Sequence, residues 1–245
     1  MIINEQLLSE EKIHNTLVKL SKRIKERFPT SSLYKVSNDI VEISKEAAET
    51  IRWIESPNYF VRIGISIILV IISSIFIYSI CQLNIHVDAL DLLDVVQVTE
   101  STVNELVIIA AGTFSLYTFD TRRKRRRVIR AINELRSISH IIDAHQLTKD
   151  PIIESKLYYP TDNSPKRDLS RHELKRYLNY CSEMLSLTSK VGFLYIQKFD
   201  DPTANDSVND LEVLTTGLSR KIWQKIMILE ENDNYCDKIV QNARI

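Results

Sequence analysis

The sequence predicts an all-α protein in which a two-helix transmembrane hairpin joins a cytoplasmic helical bundle built from N-terminal and C-terminal segments. Residues 61–81 and 103–119 form two apolar spans, and a run of six basic residues follows the second span. Elsewhere, apolar residues recur at every third or fourth position, as they do in amphipathic helices. Only 4 Gly and 6 Pro occur in 245 residues, which leaves few turns between the helices.

These features divide the chain into three predicted regions. Residues 1–57 are N-terminal cytoplasmic helices, residues 58–121 are the transmembrane hairpin, and residues 122–245 are a C-terminal cytoplasmic helical region. The hairpin includes an acidic outer loop at 82–102, which contains four acids and no Lys or Arg. Short loops poor in Lys and Arg are translocated, whereas basic clusters stay in the cytoplasm. We therefore expect both termini to be cytoplasmic.

The N-terminal region contains two predicted helices. The first occupies residues 5–28 and ends at Pro29. The second follows the capping residues 30–32 and carries an apolar stripe that needs a partner helix. The stripe consists of Leu33, Val36, Ile40, Ile43, Ala47, Ile51 and Ile54. A break at 56–58 leads into the first span, which at about twenty residues is long enough to cross a bilayer. Since roughly sixty mostly polar residues precede this span, we expect no signal peptide.

The second span continues into the longest predicted helix. No Pro or Gly occurs between Thr113 and Asp150, so we predict one helix from about Asn104 to about His145. Beyond the basic run it carries a further apolar stripe, Ile132, Leu135, Ile138, Ile141 and Ile142. The stripe predicts that this end of the helix packs into the cytoplasmic bundle.

The C-terminal region begins with a loop at 147–169 that holds three of the six prolines. Ser170 and Glu173 then form a predicted capping box at the start of a helix. This helix buries Leu174, Leu178, Cys181, Leu185, Thr188, Val191 and Tyr195, and Asp200-Asp201-Pro202 ends it. A further helix begins near Ser207 and uses Leu211, Leu214, Leu218, Ile222, Ile226 and Leu229, with Trp223 beside that stripe. The residues from Asn232 are predicted to form a short helix or a tail.

The basic run is the first candidate binding site. It consists of Arg122, Arg123, Lys124, Arg125, Arg126 and Arg127, hereafter the basic belt. Because it directly follows a predicted span, we expect it to fix the topology and to bind the anionic headgroups of membrane lipids. Lipids, and not nucleic acid, are therefore the expected partner. The net charge of the whole chain is zero and identifies no partner.

A single two-helix hairpin encloses no pathway through a bilayer, so any transport requires a homo-oligomer. Close approach of such helices is favoured by small residues, here Ser73, Ser74, Ala110, Ala111, Gly112 and Ser115. In an oligomer, Glu105, Asp94 and Glu100 are candidates to line a pore or polar cavity, because repeated carboxylates concentrate negative potential. The interpretation we favour for the loop acids is a solvated loop that helps to set the topology. Glu105 is the exception, because a carboxylate about one turn into an apolar span usually caps the helix N-terminus or faces a polar cavity.

A metal site is a weaker hypothesis. His140 and Asp143 are three residues apart, a spacing that puts two ligands on one face of a helix. A structural or hydrogen-bonding role for these side chains is the interpretation we favour, and no cofactor is expected. Cys81, Cys181 and Cys236 are isolated in the sequence, so we expect three free thiols.

One short motif raises the possibility of an enzyme. The segment from Arg167 to His172 resembles the Arg-x4-His motif of HEPN ribonucleases. The resemblance implies that Arg167 and His172 act together on a scissile phosphate, and makes a membrane-tethered ribonuclease the alternative function. The sequence contains no Gly-rich phosphate loop, nucleophile elbow, HExxH or dinucleotide fingerprint. A non-enzymatic function is therefore the main hypothesis.

Residues 132–151 and 211–226 look like segments of bacterial membrane proteins of unassigned function, and the two-span plan resembles, in topology, the SLATT-type proteins of bacteria. That resemblance implies an inner-membrane effector in nucleotide-dependent defence, with a cytoplasmic protein or nucleotide as its ligand. The leading hypothesis is a self-associating, multi-pass inner-membrane protein whose cytoplasmic bundle senses or docks a partner and whose hairpin responds by forming a pore. A membrane scaffold for a soluble partner is the remaining alternative.

Overall fold

The computed structural model of the chain describes residues 8–56, 59–82, 92–149, 151, 161–164 and 169–242. In these ranges the regular structure is helical and contains no β-strand, which confirms the all-α prediction. The helices are α1 (Glu10–Arg27), α2 (Ser32–Glu55), α3 (Tyr59–Gln82), α4 (Leu92–Leu147), α5 (Arg171–Ile196) and α6 (Pro202–Asn242). The chain divides into two compact units, which we call unit 1 (Met1–Glu55 with Arg127–Ile245) and unit 2 (Ser56–Arg126).

Helix α1 begins and ends at residues suited to those positions. Ser9 is its N-cap and accepts a hydrogen bond from the backbone N–H of Lys12 at 3.4 Å. Acids in the first turn and bases in the last turn oppose the partial charges of the helix ends. Pro29 follows shortly after the last helical residue, as predicted. Residues 5–7 of the predicted helix lie outside the described residues.

Helices α1 and α2 form an antiparallel pair in unit 1. His14 Nδ1 lies 2.7 Å from Ser44 Oγ, and Ser37 Oγ donates to Ser21 Oγ at 3.0 Å. Later residues of α1 thus meet earlier residues of α2. The predicted apolar stripe of α2 is buried along its whole length, which confirms that this helix packs against partners.

Helix α5 begins with the predicted capping box. Ser170 Oγ accepts from the backbone N–H of Glu173 at 3.4 Å, and Glu173 Oε2 accepts from the backbone N–H of Ser170 at 2.8 Å. These bonds satisfy two N–H groups at the helix start. Hydrogen bonds from Ser170 lower the pKa of Glu173. The stabilisation is therefore present while Glu173 is ionised and is lost as the pH falls through its folded-state pKa.

Helix α6 differs from the prediction at both ends. It begins at Pro202, not near Ser207, and it continues to Asn242, so residues 232–242 belong to this helix and not to a separate short helix or a tail. Asp201 Oδ1 accepts a hydrogen bond from the backbone N–H of Ala204 at 3.0 Å and so caps the helix. Proline suits the first helical position because the N–H it lacks would have no partner inside the helix. The Asp-Pro pair therefore starts α6 as well as ending the preceding segment.

Helix α4 begins earlier in the chain than predicted. The helix begins at Leu92, so the prediction that the loop extends to residue 102 is wrong. Residues 92–102 contain no Gly or Pro to interrupt a helix, and an acid at position 94 is favourable near a helix N-terminus. Residues 83–91 of the predicted loop lie outside the described residues.

Unit 1 has a hydrophobic core to which α1, α2, α5, α6 and the second part of α4 contribute. The α4 residues Val128, Ile132, Leu135 and Ile142 have no exposed surface. Ile141, which was predicted to share their face, is 42% exposed. Its position about 100° around the helix from Ile142 accounts for the difference.

Cys181 is buried in this core with a free thiol, as predicted. Desolvation by burial raises the pKa of Cys181 to about 12. The thiol therefore stays protonated near neutral pH and is a poor nucleophile. The side chains of Cys81 and Cys236 lie outside the described part of the structure.

In unit 2, α3 and the first part of α4 contact each other in antiparallel orientation at their glycines. A Cβ built on Gly64 would lie 3.5 Å from Leu116 Cδ1, and a Cβ built on Gly112 would lie 3.8 Å from Ile68 Cδ1. Rising residue numbers in α3 thus meet falling numbers in α4. The small side of each glycine lets the two backbones approach closely.

Gly192 of α5 packs so closely against the core of unit 1 that a side chain at this position would collide with it. A Cβ there would lie 2.6 Å from Leu211 Cδ2 and 3.7 Å from Leu135 Cδ1. We expect Gly192→Val to overpack this contact and to lower the free energy of unfolding by about 1–3 kcal/mol. Denaturant unfolding of the full chain in mild detergent measures the change.

Gly217→Ala is the matched control for this substitution. Nothing lies within 4 Å of a Cβ built on Gly217. Because Ala is about 1 kcal/mol more favourable than Gly inside a helix, we expect this variant to be slightly more stable than the parent. A Gly192→Val protein as stable as the parent would contradict the described packing of α5 on α6.

Candidate functional site

Unit 2 exposes an unusually apolar surface. Of the 24 exposed large apolar side chains among the described residues, 17 lie between Tyr59 and Phe119. Ile108 and Phe114 are 72% and 71% exposed, whereas the apolar stripes of unit 1 are buried. Extended apolar surfaces of this kind mark sites of contact with a membrane or with other protein chains.

One described helical segment, Thr102–Leu147, is long and apolar enough to cross a membrane, and its apolar window is unburied. The described part of α3 contains a shorter apolar stretch, Ile63–Ile75. The length and the apolar composition of the helix are the basis of this assignment. It supports membrane association of α4, and the first span, in α3, stays a prediction.

The basic belt directly follows the exposed apolar part of α4. Arg122, Arg123 and Arg126 are exposed, and Lys124 Nζ lies 3.6 Å from Asp120 Oδ2 one turn earlier. The belt therefore presents several guanidinium groups to the surroundings. Each basic side chain beside an anionic membrane surface contributes about 1 kcal/mol of attraction.

Arg127 ends the belt and contacts an aromatic residue of α2. Its guanidinium carbon lies 4.7 Å from the centre of the Trp53 ring, within cation–π distance. Trp53 is half-buried and packs against the core of unit 1. Sequence reasoning missed this contact, although a Trp shortly before the first apolar span is the type of residue enriched at membrane interfaces.

The three acidic pore candidates do not form one described cluster. Glu105 is half-buried, whereas Glu100 is exposed and lines a groove of about 470 Å³ with Val96, Thr99, Val103 and Asn104. Asp94 belongs to α4, but its side chain lies outside the described residues. Of the two candidates whose side chains are described, Glu105 is therefore the one with less access to water.

The proposed metal pair is not part of a metal centre in the described residues. No group of three or more His, Cys, Asp or Glu side chains in those ranges is arranged to hold a metal ion. His140 is exposed, and Asp143 Oδ1 accepts a hydrogen bond from Gln146 Nε2 at 2.6 Å. His145 Nδ1 lies 3.2 Å from Ser32 Oγ. Two of these three polar side chains therefore have hydrogen-bonding roles near the end of α4.

The nuclease motif is described only in part. Arg167 lies outside the described residues, and His172 is exposed in the first turn of α5. The neighbouring Arg171 donates a hydrogen bond to the backbone carbonyl of Leu229 and so ties the start of α5 to α6. The joint action of Arg167 and His172 stays a prediction.

No protein-family model, curated protein or solved structure matches this chain.

Trp53 offers a direct test of the contact with the basic belt. We expect Trp53→Ala to lower the free energy of unfolding by at least about 1 kcal/mol, because it removes packing against the core together with the cation–π contact. Trp53→Phe, which keeps an aromatic ring, should recover part of the loss. Trp223→Ala is the control, since Trp223 is 55% exposed. Equal stability of the Trp53→Ala and Trp223→Ala proteins would contradict a structural role for Trp53.

Proposed function

We propose that this chain is a multi-pass protein of the bacterial inner membrane that self-associates and has no enzymatic activity. Helix α3 and the apolar part of α4 form its two-span hairpin. Unit 1 and both termini lie in the cytoplasm, where unit 1 senses or docks a partner. The associated hairpins respond by opening a polar pathway.

The exposed apolar surface of unit 2 carries this proposal. Burying a Val, Leu, Ile or Phe side chain away from water is worth about 1.5–3 kcal/mol, so a surface built from such residues is costly in water. A bilayer removes that cost along both helices. Backbone groups of helices are already paired within the segment, which lets α-helices enter hydrocarbon.

The charge pattern supports the proposed orientation. The basic belt follows the apolar part of α4, whereas the segment between the two spans has no Lys or Arg. The positive-inside rule assigns the belt to the cytoplasmic side. There it lies at the depth of the anionic headgroups, which agrees with the exposure of Arg122, Arg123 and Arg126.

Self-association is supported by the small residues that remain on the outside of the α3–α4 pair. Ser73, Ser74, Ala110, Ala111 and Ser115 are exposed, whereas Gly112 contacts Ile68 within the pair. These positions let a second copy approach closely. A carboxylate in an apolar span needs a polar cavity or a partner, and an oligomer with Glu105 facing a central pathway supplies one.

The mass of the purified protein in mild detergent, together with ion flux in liposomes, tests this proposal. We expect a defined oligomer and a cation flux that Glu105→Gln reduces, because the substitution removes negative charge from the pathway. Asp206→Asn is the matched control, since Asp206 is exposed on α6 in unit 1. It should leave the flux unchanged.

A strictly monomeric protein would contradict the proposal as a whole. A stable oligomer without flux would contradict the pathway and leave the hairpin as an anchor. The scaffold alternative then requires that a soluble partner co-purify with unit 1.

A further inference from the structure

A groove of about 430 Å³ lies between α1 and α5 in unit 1, and three of its lining side chains are cations. The lining consists of Arg23, Glu26, Arg27, Arg176 and Tyr180. Arg23 and Arg27 are exposed and Arg176 is half-buried, so a ligand in solution can reach all three guanidinium groups. The volume is within the range of about 300–1,000 Å³ that is typical of small-molecule sites.

Arg23 fixes one end of the groove, and its charge is already balanced. Its Nη1 and Nη2 donate to the two carboxylate oxygens of Glu183 at 2.9 and 3.4 Å. Its guanidinium carbon lies 5.3 Å from the centre of the Tyr180 ring. These contacts hold α1 against α5. An anion in the groove therefore has to be bound by the other two arginines.

Arg27 and Arg176 lie on adjoining turns of the two helices. Arg23 meets Glu183, whereas Arg27, one turn later in α1, is close enough to Glu173 for their charges to interact. Later residues of α1 thus meet earlier residues of α5. Since Arg176 lies about one turn after Glu173, Arg27 and Arg176 present their guanidinium groups to the same end of the groove.

These two guanidinium groups keep their hydrogen-bond donors available. Neither Arg27 nor Arg176 donates a hydrogen bond to, or forms an ion pair with, a residue that the structure describes. Each guanidinium has five N–H donors in a planar fork that matches carboxylate and phosphate oxygens. Among the described lining residues Glu26 is the one acid. Two like charges that share a groove repel each other, and a bound anion removes that repulsion.

The number of donors selects the type of anion. A carboxylate has two oxygens, which one guanidinium fork occupies. A phosphate monoester has three terminal oxygens and a charge near −2 at neutral pH, so it can accept from two forks at once.

We propose that this groove binds the phosphate group of a small soluble phosphate monoester. Arg27 and Arg176 donate to the terminal oxygens from opposite helices, and Glu26 limits the affinity by repelling the anion. The described lining contains no aliphatic side chain against which an acyl chain could pack, which favours a soluble ester over a lipid headgroup.

This site goes beyond the proposed membrane function and does not depend on it. The lining residues belong to unit 1, so binding can be measured whether or not the protein conducts ions. A failure of binding and a failure of flux are therefore separate results.

Isothermal titration of the full chain in mild detergent with glycerol 3-phosphate, at constant ionic strength, tests the proposal. We expect saturable binding with a Kd of about 1 mM or tighter. Dimethyl phosphate has two terminal oxygens and a single charge, so it should bind at least about tenfold more weakly. Equal affinity for the two compounds, or no saturable binding of glycerol 3-phosphate, would overturn the proposal.

The same titration in micelles that contain phosphatidic acid distinguishes the two sources of a phosphate monoester. An unchanged affinity for glycerol 3-phosphate supports a soluble ligand. Loss of glycerol 3-phosphate binding would show that a lipid headgroup occupies the groove, and would overturn the assignment to a soluble molecule.

Three variants locate the binding in the groove. Arg27→Gln and Arg176→Gln each remove one fork and should weaken glycerol 3-phosphate binding by about tenfold or more. Glu26→Gln removes the repelling charge and should strengthen binding by about threefold or more. Lys22→Gln is the matched control, since Lys22 is exposed on α1 and does not line the groove. It should leave the affinity unchanged.

Glu26→Gln keeps the test independent of any loss of structure, because a misfolded protein does not bind more tightly. Affinities in Arg27→Gln and Arg176→Gln equal to that of the parent, or an equal loss in Lys22→Gln, would overturn the location of the site.

Discussion

The removal of apolar side chains from water is the constraint on which this structure depends, and the two units satisfy it differently. In unit 1, the stripes of α1, α2, α4, α5 and α6 bury one another in one core. In unit 2, α3 and α4 approach each other at Gly64 and Gly112, while most of the large apolar side chains that the structure describes there are exposed. Because each such side chain is worth about 1.5–3 kcal/mol when buried, unit 2 needs a second apolar environment. We propose that a bilayer provides it.

Helix α4 contributes residues to both units. Its residues up to Arg126 belong to unit 2, and its residues from Arg127 belong to unit 1. Glu105 lies in the apolar part of α4, and Gln146 lies in its last turn. We therefore propose α4 as the route by which binding in unit 1 acts on the membrane region. If the membrane region has two conformations, a ligand of unit 1 shifts the equilibrium between them only by the difference between its affinities for the two conformations.

The sequence predicted features set by local periodicity and capping, but it did not predict features set by tertiary contacts. The α2 stripe and the Ser170–Glu173 box follow from spacing alone, and both are present. The prediction uses Asp201-Pro202 only as a stop, although a capping Asp followed by Pro also marks a helix start, as the hydrogen bond from Ala204 N–H to Asp201 shows. The Arg127–Trp53 contact joins α4 to α2, and Lys225 donates a hydrogen bond to the backbone carbonyl of Gln146, 79 positions away. Such pairs have no signal in one sequence, whereas the basic belt and the apolar spans are visible in composition.

Nitroxide accessibility along α4 in liposomes tests most directly whether this helix lies in a bilayer. Labels at Ile108, Phe114 and Arg126 would be introduced singly into a protein with Cys81→Ser and Cys236→Ser, and the burial of Cys181 shields its thiol from the labelling reagent. We expect labels at Ile108 and Phe114 to collide with oxygen and to be shielded from a water-soluble nickel complex, whereas the label at Arg126 should be open to the complex. Nickel accessibility at Ile108 and Phe114 equal to that at Arg126 would contradict membrane insertion of α4.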